Sequence, residues 1–138
     1  MRKLLLLLPL LFLGACSQST PLIVECISRE DDRPPGFKSE WFNRFTIDPK
    51  KGIVKEETDS CNPGDKDCFR EGTAQVGGRA VSLRIKGHDE VGVYNDYRWQ
   101  IDLAKGTGTR WTDLILGGQK MGPTLERELT CEVLQEAE

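Results

Sequence analysis

Apolar positions recur at every second residue through most of this chain, and a period of two marks strands with one buried face. The run 22–27 opens the pattern and predicts a first strand carrying Cys26. From Trp41 the alternation places Trp41, Asn43, Phe45 and Ile47 on one face and Phe42, Arg44, Thr46 and Asp48 on the other. A turn at 48–52 leads into Ile53 and Val54, a hairpin with Gly52 where positive φ is needed. Residues 55–72 read as a long loop. Strands at 73–76 and 79–85 flank Gly77-Gly78, a two-residue hairpin signal, with Val81, Leu83 and Ile85 on one face. After a turn at 87–90 and a short strand at 91–94, Tyr97, Trp99, Ile101 and Leu103 alternate inward. Short strands at 109–112 and 114–116, a loop at 117–123 and a closing strand at 125–134 finish the chain, with Leu125, Leu129, Cys131 and Val133 sharing a face. No amphipathic helix of ten or more residues is visible. The pattern predicts an all-β fold, an antiparallel meander of about seven to nine short strands forming a small barrel or sandwich.

One internal echo refines this picture. The segments Phe45-Thr-Ile47-Asp48-Pro-Lys-Lys51-Gly52 and Trp99-Gln-Ile101-Asp102-Leu-Ala-Lys105-Gly106 share aromatic-x-Ile-Asp-x-x-Lys-Gly. Each aspartate is expected to accept from backbone N–H groups of its own turn, with the glycine in the left-handed region.

The N-terminus follows a different pattern. Arg2 and Lys3 precede an apolar run at 4–13 that is too short to span a hydrocarbon core of ~30 Å. It ends in Gly14 and Ala15, small residues suited to a signal-peptidase site, and Cys16 follows at once. Leu13-Gly14-Ala15-Cys16 resembles the lipobox of bacterial lipoproteins. The resemblance implies a signal peptide at 1–15, cleavage before Cys16 and acylation of its thiol. It also implies anchoring in the lipid bilayer through Cys16. Removal of 1–15 leaves 123 residues, read from their length and composition as a tether at 16–21 and a single β domain at 22–138. Because Ser17 and not aspartate follows the cysteine, the resemblance to enterobacterial sorting favours the periplasmic face of the outer membrane.

Charge and cysteines bear on the passenger domain. The chain has 19 Lys and Arg against 22 Asp and Glu, and without Arg2 and Lys3 the balance is 17 against 22. An acidic chain with no basic run is a poor nucleic-acid binder. With Cys16 lipidated, Cys26, Cys61, Cys68 and Cys131 remain, and an exported chain with four cysteines reads as two disulfides in one of three connectivities. The expected pairs are Cys61–Cys68, across a segment rich in turn formers, and Cys26–Cys131, joining the first strand to the last. The spacing has no CxxC pair and the chain has one histidine, His88, so no metal site and no cofactor are expected. Without a G-x-S-x-G elbow or a free nucleophilic cysteine, no catalytic residue is expected either.

Two functional classes remain. One is a membrane-anchored, non-catalytic interaction or inhibitor module, its partner an envelope protein. The other is a small barrel that binds an apolar or envelope ligand. The lipidated β architecture is similar to that of the membrane-bound lysozyme inhibitors of Gram-negative bacteria, and Gly108-Thr-Arg-Trp111-Thr-Asp113 looks like part of their C-terminal motif. Where that motif continues with Trp-x-Lys-Gly, this chain has Leu116-Gly-Gly-Gln-Lys-Met-Gly122, so no inhibitory residue carries over. An interior filled by its own side chains would favour surface interaction, and a preformed apolar cavity would favour ligand binding.

Overall fold

The computed structural model describes residues 19–28, 42–58, 69–87 and 91–138. The described chain forms eight strands: β1 (Leu22–Ser28), β2 (Phe42–Asp48), β3 (Ile53–Thr58), β4 (Phe69–Gly77), β5 (Ala80–Lys86), β6 (Val93–Asp102), β7 (Thr107–Leu116) and β8 (Gln119–Gln135). Each pairs antiparallel with the next, and β8 pairs back to β1, so the sheet closes into a barrel without a free edge. No helix among the described residues is long and apolar enough to cross a membrane.

Alternation sorts the side chains between inside and outside. Leu22, Val24 and Cys26 on β1, Phe45 and Ile47 on β2, Val54 on β3, Val81, Leu83 and Ile85 on β5, and Trp99 and Ile101 on β6 are all buried. Phe45 meets Trp99 edge to face at 5.1 Å between centroids, and Tyr97 stacks on Trp99 at 5.7 Å. These rings fill the middle of the barrel. Gly72 lies between Val54 and Ile85 in the ladder and takes no side chain, because a Cβ there would stand 2.2 Å from the Arg84 carbonyl oxygen.

The two repeated turns close the same way. Asp48 Oδ1 accepts from the backbone N–H groups of Lys50 and Lys51, both at 3.1 Å, and Asp102 Oδ1 from those of Ala104 and Lys105 at 3.0 and 3.1 Å. Gly52 and Gly106 follow at φ 68° and 67°. These turns, the β4–β5 turn and the start of β1 lie at one end of the barrel. β1, β3 and β5 end, and β2, β4 and β6 begin, at the other end, with the Gly117-Gly118 turn between β7 and β8.

Several sequence-based boundaries change. The β4–β5 turn is Gly78-Arg79, with Gly77 paired to Ala80 and Gly78 at φ 60°, one residue later than the Gly-Gly signal suggested. Residues 55–58 and 69–72, expected as loop, extend β3 and β4. The breaks expected near residues 95 and 113 are absent, since β6 and β7 each run ten residues. The expected loop at 117–123 is largely strand: Gly117-Gly118 makes the turn and β8 runs on through Pro123. Opposite Asp113 the register shifts, with Thr112 paired to Leu125 but Leu114 to Met121. The bulged residues on β8 include Pro123, whose missing N–H has no ladder bond to make there. Leu125 keeps the parity of Leu129 but stands 61% exposed.

Cys26 and Cys131 are directly opposed on β1 and β8 and form a disulfide, closing the seam between residues 105 apart in sequence. Cys16, Cys61 and Cys68 lie outside the described residues, as do Trp41 and His88.

Candidate functional site

The barrel interior divides in two along its axis. Apolar side chains fill the half where β1 starts, whereas polar and charged side chains take the inward positions toward the opposite end, the mouth of the barrel. Two residues beyond a core position, strand parity brings the next side chain to the same face. Glu56 follows Val54 in this way, Arg110 follows Gly108, and Arg127 precedes Leu129. Asn43 and Arg70 complete the set from β2 and β4.

Glu56 is the centre of the group and has no exposed surface. Asn43 Nδ2 donates to its Oε1 at 2.7 Å, and Arg70 Nη2 stands 2.7 Å from its Oε2, an ion pair whose angle falls short of a well-aligned hydrogen bond. Arg70 also lies over the Tyr97 ring, 4.5 Å from its centroid, a cation–π contact that ties the ion pair to the aromatic column below. Burial pushes the Glu56 carboxyl above its ordinary value, while Arg70 and Asn43 pull it down.

Arg110 and Arg127 are Cα partners across β7 and β8. Burial lowers the Arg110 guanidinium from its ordinary value, and the like charges of Arg127 and Arg70 lower it further, against Tyr97 and Glu56. Its Nε is buried without a hydrogen-bond partner. The described inward face therefore carries three guanidiniums and one carboxylate. An arginine stays charged at any pH a protein survives, so the described inward face keeps this excess of positive charge throughout.

The inner face continues past the barrel wall on β6, β7 and β8. Register keeps Val93, Leu114, Leu116, Met121 and Leu125 on the same side as Trp99, Arg110 and Arg127. Asp113 anchors this extension from the outer side, accepting from Arg98 Nη2 at 2.8 Å and from Thr124 Oγ1 at 2.5 Å, with Lys120 Nζ at 3.4 Å. The Thr124 hydrogen bond, with help from Lys120 and Arg98, holds its carboxyl below the usual range.

Two described concavities lie elsewhere, on the outer wall. One of about 710 Å³ is lined in part by Ala80, Gln100, Asp102, Thr107 and Glu128, and one of about 520 Å³ by Thr73, Ser82, Arg84, Arg98 and Trp111. Their charged groups are largely spoken for: Arg84 binds Asp96 through two nitrogens, and Arg98 binds Asp113. Trp111 points outward and donates to Glu126 at 3.1 Å. Trp99 is in the core with its Nε1 unpartnered.

Of the cysteines expected to pair, Cys26 and Cys131 are among the described residues and are joined. Asp48 and Asp102 each serve their own turn. No group of three or more metal-ligating side chains occurs among the described residues. Compared with known proteins, the chain matches no family model, no curated protein and no solved structure.

Proposed function

We propose that this protein is a lipid-anchored, non-catalytic interaction or inhibitor module of the bacterial cell envelope, tethered through acylated Cys16 and presenting the mouth of its barrel to an envelope partner. The polarity of the barrel is the observation that carries this reading. The chain enters β1 at the tight-turn end, and the five residues 17–21 between Cys16 and Leu22 span at most about 17 Å. A lipid on Cys16 would hold that end near the bilayer and turn the mouth away from it. Two or three acyl chains hold a protein almost permanently, where one binds reversibly. The apolar half is filled by its own side chains, which favours recognition at the mouth over uptake of a ligand into the core. By the sorting resemblance, Ser17 directs the protein to the outer membrane, facing the periplasm.

Metabolic labelling with radioactive palmitate tests the anchor: the wild-type chain takes up label and sediments with outer membranes, and Cys16→Ser takes up none. Photo-cross-linkers placed at Leu116 and at Lys105 in living cells test the display. A defined protein adduct from Leu116 alone is the expected result. Equal adducts from both ends would refute the orientation, and an unlabelled wild-type chain would refute the anchor.

A further inference from the structure

We propose that the mouth of the barrel binds an amphipathic anion, a carboxylate or phosphate head group on an unbranched apolar chain. Arg110 and Arg127 hold the head group, and the tail lies along the strip formed by Val93, Leu114, Leu116, Met121 and Leu125. The proposal goes beyond the lipoprotein reading and holds for the barrel whether or not Cys16 is acylated.

Three observations converge on this ligand. First, Glu56 is already engaged by Arg70 and Asn43, so Arg110 and Arg127 face inward with no carboxylate of their own among the described residues. Two like charges side by side, one with a buried Nε lacking an acceptor, are costly unless an anion joins them. Second, the strip residues are between 39% and 61% exposed, although they continue the face that is buried deeper in the barrel. Scattered apolar residues are ordinary on a surface, but these five adjoin one another across three paired strands.

Third, the two features are collinear. Thr112 and Leu125, paired to each other, follow directly on Arg110 and Arg127, and Leu116 lies roughly 20 Å beyond Arg110 at ~3.3 Å per residue. A linear molecule with its charge at one end matches a site with guanidiniums at one end and apolar side chains along the rest. The head group must be slender, because the arginines point inside the barrel wall, where a folded partner's surface does not reach.

Residues 17–138 hold all eight strands and the Cys26–Cys131 disulfide, and this span is the protein to test. Titration calorimetry compares dodecanoate, dodecyl phosphate, acetate, inorganic phosphate and neutral dodecyl maltoside, all below micelle-forming concentrations. Saturable binding of dodecanoate or dodecyl phosphate is expected, with the stronger of the two distinguishing a carboxylate from a phosphate source. Arg110→Gln and Arg127→Gln should each weaken it about tenfold or more, the loss of one charged hydrogen bond. Leu116→Ser should weaken the dodecyl ligands and leave any binding of acetate or phosphate unchanged. Each arginine variant removes charge from an uncompensated pair and is expected to fold, which thermal unfolding checks. If one does not, the other and Leu116→Ser carry the comparison. The proposal fails if the maltoside binds as tightly as the anions, if acetate or phosphate alone binds as tightly as the dodecyl ligands, if the substitutions leave binding unchanged as for a protein partner docked on the strip alone, or if none of the probes binds.

Discussion

A carboxyl group with no exposed surface depends entirely on its protein partners, and Glu56 has two, Asn43 and Arg70. Removing one member of a buried pair leaves the other charge uncompensated, which costs more than the net worth of the pair. Arg70→Met should therefore lower stability by about 3 kcal/mol at neutral pH, read from urea unfolding. The pH dependence identifies the cause. Because burial already raises the Glu56 carboxyl above 4.5, its contribution to stability is fully present below that value and is lost as pH rises through the folded-state pKa. Loss of Arg70 raises it further, so the deficit of Arg70→Met should shrink as the solution is acidified. A deficit independent of pH would place the damage in packing against Tyr97 instead. Asp113 behaves in the opposite sense. Held below 3.8 by Thr124, Lys120 and Arg98, it adds stability above that value and loses it as pH falls through the folded pKa, and an NMR titration of its carboxyl carbon should find the depressed midpoint.

Among the strands, β4 shows how close the barrel wall is packed. A Cβ on Gly72 would meet the Arg84 carbonyl oxygen at 2.2 Å and the Ile85 Cα at 3.0 Å, backbone atoms that no rotamer change can move. Gly72→Ala should cost about 3 kcal/mol. Gly77→Ala, five residues along the same strand, meets nothing within 4 Å and should stay within about 0.5 kcal/mol of wild type in the same denaturation experiment. The strands that were legible from sequence are those whose inward positions are apolar, β1, β2 and β5 above all. The ends of β3 and β4 were not, and the reason is the candidate site itself: Glu56 and Arg70 occupy inward positions, so 55–58 and 69–72 lack the apolar alternation by which a strand is recognised. β8 departs from its expected bounds for another reason. Gly122 and Pro123 are turn residues in most settings, but here a bulge opposite Asp113 absorbs the missing donor and the positive φ of Gly122. Arg110 and Arg127 could have been placed inside from Gly108 and Leu129 by counting two residues, a signal that charge alone obscures.

At the scale of the molecule, closure is the demanding step, because β1 and β8 are the ends of the described chain and every other strand pairs with a sequence neighbour. The ladder between them is one such pairing among eight, yet it must bring together residues more than a hundred positions apart, and loop closure over that distance carries an entropic cost the hairpins do not bear. The Cys26–Cys131 disulfide places its constraint on this one seam. In the chain-entropy model a bridge over 105 residues is worth close to 5 kcal/mol, drawn from the unfolded state and not from any native contact. Cys26→Ala with Cys131→Ala should therefore lower the unfolding free energy by about 5 kcal/mol or more, since both side chains are buried and some packing is lost as well. Guanidinium unfolding of the double variant beside the oxidised wild type measures this directly. If the disulfide acts through loop closure, the variant unfolds faster only modestly and refolds more slowly, because the seam must then be found by diffusion of the free ends. A difference below about 1 kcal/mol would mean that the β1–β8 ladder alone fixes the closure, and that the bridge locks a seam already made.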